Sequence, residues 1–278
     1  MKYTIAVSIL GMALVSACSN PKQSETQTDT MQTVKVQPEE IATANLVKSE
    51  APDAVTKIAQ GYALPKLDDG QSQSPIDIIS DSTMKDNGQF ISIKFKTGVV
   101  VVENLGHTIQ LDFKEGSTAV AGGKTYSSKQ FHFHTPSEHM IDGITYPMEM
   151  HIVNVLKDSD EKKNPHYLVI GLLFKMGREN TFIKEFLNVI PREEGKDTLP
   201  SGAVRFEDLF LTIPKKEEKG YYSYNGSLTT PPYSETVHWI VKKYILEASP
   251  EQITAIEKKE GDNARHVRSL YARKVFSN

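Results

Sequence analysis

The run Gln130-Phe-His-Phe-His134 alternates strictly between polar and aromatic side chains. A period of two marks a strand whose two faces meet different surroundings; a helix would scatter these residues around its axis. Phe131 and Phe133 then point one way, and Gln130, His132 and His134 the other. The two histidines sit about 6–7 Å apart at their Cα atoms, close enough to converge on one ion. A second run, Tyr146-Pro-Met-Glu-Met-His-Ile-Val153, repeats the pattern. Here Glu149, His151 and Val153 share a face, and Met148, Met150 and Ile152 share the other. An antiparallel return of the second run brings His151 beside the first pair. Three neutral imidazoles with a fourth position open describe a catalytic zinc site rather than a structural one. Gln130 and Glu149 each stand two residues before a histidine. They can accept the ring N–H that a ligating imidazole does not use.

A chain of 278 residues is long enough for one large domain with a sizeable core. The formal charge of −3 argues against nucleic acid as a partner. No repeat, phosphate-binding loop or dinucleotide fingerprint is present. Short strands are expected at Ile91–Phe95, Gly98–Glu103 and Thr108–Phe113. Tyr167–Phe174 is nearly all apolar, as expected of a strand buried on both faces. Helices are few: Asn180–Val189 is one, and Ser249-Pro-Glu-Gln252 opens another with an N-cap, a proline at the first position and Gln at the third.

The first 17 residues have the layout of a targeting segment. Lys2 is basic, Ile5–Val15 is apolar but short for a bilayer, and Val15-Ser-Ala-Cys18 follows. That ending resembles a bacterial lipobox, in which the cysteine is lipidated, and Cys18 is the only cysteine of the chain. The expectation is an exported protein held in the cell envelope by a lipid on Cys18. It would face the periplasm or sit at the outer membrane if the host is Gram-negative, since Ser19 and not Asp follows the cysteine. Residues 18–45 are polar and read as a tether, and 46–278 as the domain.

The chain resembles the α-class carbonic anhydrases over about residues 70–275. The likeness rests on ordered motifs: Gln73-Ser-Pro-Ile-Asp77, Gly106-His107, Gln130-Phe-His-Phe-His134, Ser137-Glu-His139, Glu149-Met-His151, Gly226-Ser-Leu-Thr-Thr-Pro-Pro232, Trp239 and Asn263-Ala-Arg265. It implies a mainly β (α+β) single domain on a large central, mostly antiparallel twisted sheet with a few short peripheral helices. It implies one zinc ion per chain on His132, His134 and His151, lowering the pKa of a bound water to about 7. The reaction implied is reversible hydration of carbon dioxide to bicarbonate and a proton. Thr229 would accept a hydrogen bond from the nucleophile and pass its own proton to Glu138, as a hydroxyl can. His107 would shuttle the released proton to buffer, a task to which the imidazole side chain is suited. Val153, Val169, Leu228, Thr229, Thr230, Val237 and Trp239 match positions around the substrate. Asn263 matches a residue whose main-chain carbonyl supports the ligand at His134, and His139 a nearby histidine that is not a ligand. A non-catalytic binding or adhesion module on the same fold and a zinc esterase are the alternatives; a homodimer stays open.

Two departures from the family stand out. The stretch Ile58-Ala-Gln-Gly-Tyr-Ala-Leu64 replaces a Trp/Tyr-rich segment, leaving Tyr62 as the only aromatic there. A disulfide common in bacterial members is missing, with Tyr233 where a cysteine is frequent.

Overall fold

The structure is a computed structural model that describes residues 70–86, 94–157, 165–211 and 213–278. These residues all belong to one compact unit, Ala54–Asn278. The expectations for the targeting segment, Cys18, the tether, Tyr62 and positions 91–93 lie outside the described residues. Seven strands carry most of the sheet: β1 (Val99–Asn104), β2 (Ile109–Phe113), β3 (Lys124–His134), β4 (Met148–Leu156), β5 (Tyr167–Met176), β6 (Tyr221–Gly226) and β7 (Val237–Lys242). They run in the order β1-β2-β3-β4-β5-β7-β6 within a thirteen-stranded sheet. Neighbours among them are antiparallel except β5 and β7, which are parallel. The sheet is thus mixed, with antiparallel pairing dominant.

The alternation in β3 and β4 sorts side chains as their sequences imply. Phe131, Phe133, Met148, Met150 and Ile152 all turn into the larger apolar cluster and are fully buried. Helix α1 (Thr181–Leu187) covers them. The rings of Phe131 and Phe182 lie 5.6 Å apart, and those of Phe133 and Phe186 5.8 Å. Each such buried aromatic contributes on the order of 1.5–3 kcal/mol. The helix starts where Asn180 Oδ1 accepts from the Phe182 and Ile183 amides. After the short α2 (Asp208–Leu211), helix α3 (Pro250–Glu260) opens on the capping box of Ser249 and Gln252. Gln252 also exchanges two hydrogen bonds with the Asn180 main chain, fixing the two helix starts together.

A smaller apolar cluster lies on the other side. It contains Val169, Val237, Trp239 and Tyr224, with Val153 and Leu228 packed against it. The register explains why: Val153 opposes Val169, and Val169 opposes Trp239. Val153 and alternate residues of β5 and β7 therefore build one apolar wall on the face that carries the histidines.

Candidate metal centre

His132 and His151 are directly opposed in the β3–β4 ladder, and His134 lies one pleat further along β3. Their ring centroids are 5.0, 5.3 and 4.6 Å apart. One ring nitrogen from each falls within 4.8 Å of the other two. His134 and His151 are buried, and His132 is half-buried.

Hydrogen bonds fix which nitrogen each ring presents. His132 Nδ1 is 2.9 Å from Gln130 Oε1, an acceptor, so Nδ1 carries the proton and Nε2 keeps its lone pair. His151 Nε2 is 2.9 Å from Glu149 Oε1, which leaves Nδ1 as the donor atom for a metal. Both ring nitrogens of His134 are buried without a hydrogen-bond partner, as is Glu138 Oε2. Glu138 Oε2 is 3.6 Å from His134 Nε2 and 3.8 Å from His151 Nδ1. Orphaned polar atoms converging in a buried site are what a cation would satisfy.

The electrostatics agree. Burial, then the neighbouring His151, pushes His132 down to about 3. Burial also lowers His134 well below the usual imidazole value, helped by His151 and His132 and opposed by Glu149 and the Asn263 main chain. Burial lowers His151 too, against the pull of Glu149. All three rings are therefore neutral near pH 7, with lone pairs available to a metal. Three neutral nitrogen donors fit zinc.

Glu149 anchors this set. Its Oε2 accepts from the Glu138 and His139 amides at 3.0 and 2.8 Å, and its Oε1 pairs with His139 Nδ1 at 2.7 Å as well as with His151. Burial raises its pKa, but His139 and His151 outweigh this and hold it well below the carboxylate range. His139 continues to Tyr224 Oη at 2.7 Å, and Tyr224 donates to Ser74 Oγ at 2.9 Å. His139 is thus fully buried and engaged at both nitrogens, consistent with a residue that is not a ligand.

Gly171 faces His151 across β4 and β5. A Cβ there would stand 2.8 Å from Glu149 Oε1. The missing side chain is the space that the carboxylate occupies. Sequence reading passed over Gly171, although an isolated glycine in an apolar strand signals close approach.

Thr229 is buried, and its hydroxyl favours the ionised form of Glu138, as does the Arg265 amide at 3.0 Å from Oε1. Burial dominates and raises Glu138 well above the carboxylate range. Thr230 is exposed next to Thr229. Val153, Val169, Leu228, Val237 and Trp239 all belong to or pack on the smaller apolar cluster. The Trp239 ring reaches within 4.8 Å of the His151 ring.

His107 is exposed on the turn between β1 and β2, its Nδ1 2.9 Å from the Leu105 carbonyl. It is near enough to His132 to depress that ring's charge. Gly106 makes the turn possible with φ of 76°. Asn263 does more than its main chain was expected to do. Its Oδ1 accepts from the Thr135 amide at 3.1 Å, and its Nδ2 donates to the carbonyls of His107 and Phe133. Its main chain also acts on the His134 ring, opposing the fall of that ring's pKa, though at no full hydrogen-bond geometry. Tyr233 carries the Arg265 guanidinium 3.9 Å over its ring. That stacking, with the Gln73 Nε2 bond to the Tyr233 carbonyl, ties together the region where the family disulfide is missing.

Comparison with known proteins gives a consistent result. The sequence pattern of the family described as "Eukaryotic-type carbonic anhydrase" matches residues 61–278. A carbonic anhydrase of Neisseria gonorrhoeae is 37% identical over 231 residues, covering 82% of this chain and 84% of the relative. The α-carbonic anhydrase of Thermovibrio ammonificans, solved with the inhibitor sulfanilamide, is 40% identical with a TM-score of 0.66, covering 74% of this chain and 87% of that one. Dioscorin, solved in complex with ascorbate, has a TM-score of 0.66 at 25% identity, covering 75% of this chain and 86% of its own.

Proposed function

Because the chain belongs to the eukaryotic-type (α-class) carbonic anhydrase family, we propose that it hydrates carbon dioxide reversibly at a zinc ion held by His132, His134 and His151. The observation that carries this reading is the convergence of three neutral imidazoles beside an apolar wall. Zinc there would lower the pKa of a water to about 7 and so supply the nucleophile near neutral pH. Everything else falls to the chain's own groups. Gln130 and Glu149 hold the ligand tautomers. Thr229 would accept a hydrogen bond from the nucleophile, direct its own hydroxyl proton to Glu138, and so orient the attack. Val153, Val169, Leu228, Val237 and Trp239 offer an apolar surface that suits a small uncharged substrate and displaces water. His107 carries the proton outward. With Nδ1 at the Leu105 carbonyl, its Nε2 is left to exchange with buffer. Stopped-flow hydration assays with metal analysis test this. The expected result is turnover with about one zinc per chain. Zinc-loaded protein without turnover would end the enzymatic reading and favour a binding module on the same fold.

Export and anchoring through Cys18 belong to the same proposal. They are supported by the apolar Ile5–Val15 run ahead of the chain's single cysteine. Cys18→Ser should move the protein from the membrane fraction to the soluble one. Wild-type protein already soluble after signal cleavage would contradict it.

A further inference from the structure

Glu260 takes no part in that chemistry, yet it is a carboxyl only 4% exposed between the two segments that frame the site. It is the last residue of α3. Its Oε2 accepts from the Ile109 amide at 3.2 Å, two residues beyond His107. Its Oε1 lies 3.0 Å from Oγ1 of Thr135, the residue after His134. Thr135 Oγ1 is also 3.0 Å from the Gly261 carbonyl. A hydroxyl has one proton to donate, and a carbonyl can only accept. One hydroxyl proton cannot serve both acceptors fully, whereas a Glu260 that donates to Thr135 while Thr135 donates to Gly261 satisfies all three groups. That requires a proton on Glu260. An ionised carboxylate would set three oxygens around one hydrogen, at the negative end of a helix.

We infer that Glu260 is a positioning residue for the metal centre: as a neutral carboxylic acid it donates to Thr135 and accepts from Ile109, fastening the turn that carries His107 to the segment leaving His134. Asn263 spans the same two segments, from the Thr135 amide to the His107 carbonyl. Two braces three residues apart on one stretch of chain thus hold one relation between shuttle and ligand. Burial raises Glu260 to about 8, against the pull of the Ile109 amide and the Thr135 hydroxyl. His107 and His134 are the titratable groups on the segments packed against it, and neither contributes to that rise. The kinetic consequence rests on the function proposed above; the protonation state does not.

The test uses the full, zinc-loaded chain with Glu260→Gln and Glu260→Ala. Glutamine offers an acceptor oxygen and an NH2 donor in place of the neutral acid's acceptor and O–H; alanine offers neither. Infrared spectra at about pH 6 should show a protonated-carboxyl band that Glu260→Gln removes and that fades in wild type as pH rises through about 8. A folded pKa above the ordinary 4.5 means the stabilisation is full below 4.5 and is lost as pH rises toward about 8. Wild-type Tm should therefore fall over that window more than the Tm of Glu260→Gln. In dilute buffer Glu260→Gln should keep kcat within about twofold, and Glu260→Ala should lower kcat about fivefold with a smaller change in kcat/KM. No infrared difference between wild type and Glu260→Gln, or equal damage from both variants, would overturn the inference. If Glu260→Ala fails to fold, the spectra and Tm of Glu260→Gln decide it alone. A positive spectrum with no turnover in wild type would discard the enzymatic reading and leave the brace standing.

Discussion

The two faces of the β3–β4 pair share a backbone and differ in everything else. Behind it, Phe131, Phe133, Met148, Met150 and Ile152 bury apolar area against α1, with no polar atom among their side chains apart from methionine sulfur. In front, ring nitrogens of His132, His134 and His151 converge within 4.8 Å, with Gln130 hydrogen-bonded to His132 and Glu149 to His151. The back face supplies stability through area; the front face takes buried polar groups that cost free energy unless each is partnered. The same ladder thus provides the rigidity that the ligands need and the surface that most opposes burying them. Rigid backing is what holds three rings within bonding distance of one point.

Substitutions on the two faces should separate these roles. The largest effect is expected in front. His151→Ala should abolish zinc retention and lower hydration on the order of 10³-fold or more, because the metal carries the chemistry. Metal analysis beside stopped-flow rates checks this, and retained zinc would remove His151 from the ligand set. Behind, Phe131→Ala should cost about 3–5 kcal/mol of stability. That corresponds to a Tm lower by roughly 10 °C, while the folded fraction keeps its zinc. A variant of normal Tm that loses zinc would erase the division between the faces. Thr229→Ala should keep zinc and lose on the order of 10²-fold in rate, as when one preorganised hydrogen-bonding partner is removed. Gly171→Ala sharpens the comparison, since it adds one methyl beside Glu149. Zinc affinity should fall about tenfold, the scale of disturbing a ligand's hydrogen-bond partner. Competition with a chelating dye measures it, and an unchanged affinity would mean the carboxylate simply shifts. The smallest effect is expected at the rim. His107→Ala should lower kcat several-fold in dilute buffer, leave kcat/KM less changed, and respond to added imidazole. Identical buffer dependence in variant and wild type would show that buffer reaches the site directly.

The parts read most easily from sequence were those set by neighbours along the chain. Alternation placed Phe131 and His132 on opposite faces, and the i, i+2 spacing placed Gln130 under His132 and Glu149 under His151. The Ser249–Gln252 box was equally local. The parts missed join distant residues. Glu260 and Ile109 are 151 positions apart, and Tyr224 and Ser74 150, so no periodicity could pair them. A lone Glu at a helix end ordinarily reads as a solvated charge; only the packing of two other segments over it gives it a buried role. The family match gave Asn263 a main-chain task toward His134; the bracing by its side chain, which joins Thr135 to His107, was not legible in the sequence.

The direct opposition of His132 and His151 in adjacent strands has a consequence for assembly of the chain. All three candidate ligands lie on one hairpin, so bringing them together closes a short loop, and the entropy lost in doing so grows only slowly with loop length. Thr229 and Trp239 join over far longer stretches, through β5 and the parallel β7. The part of the site proposed to grip an ion is thus the part a folding chain can form earliest. The part that gives the ion its chemistry is complete only when the whole sheet has closed.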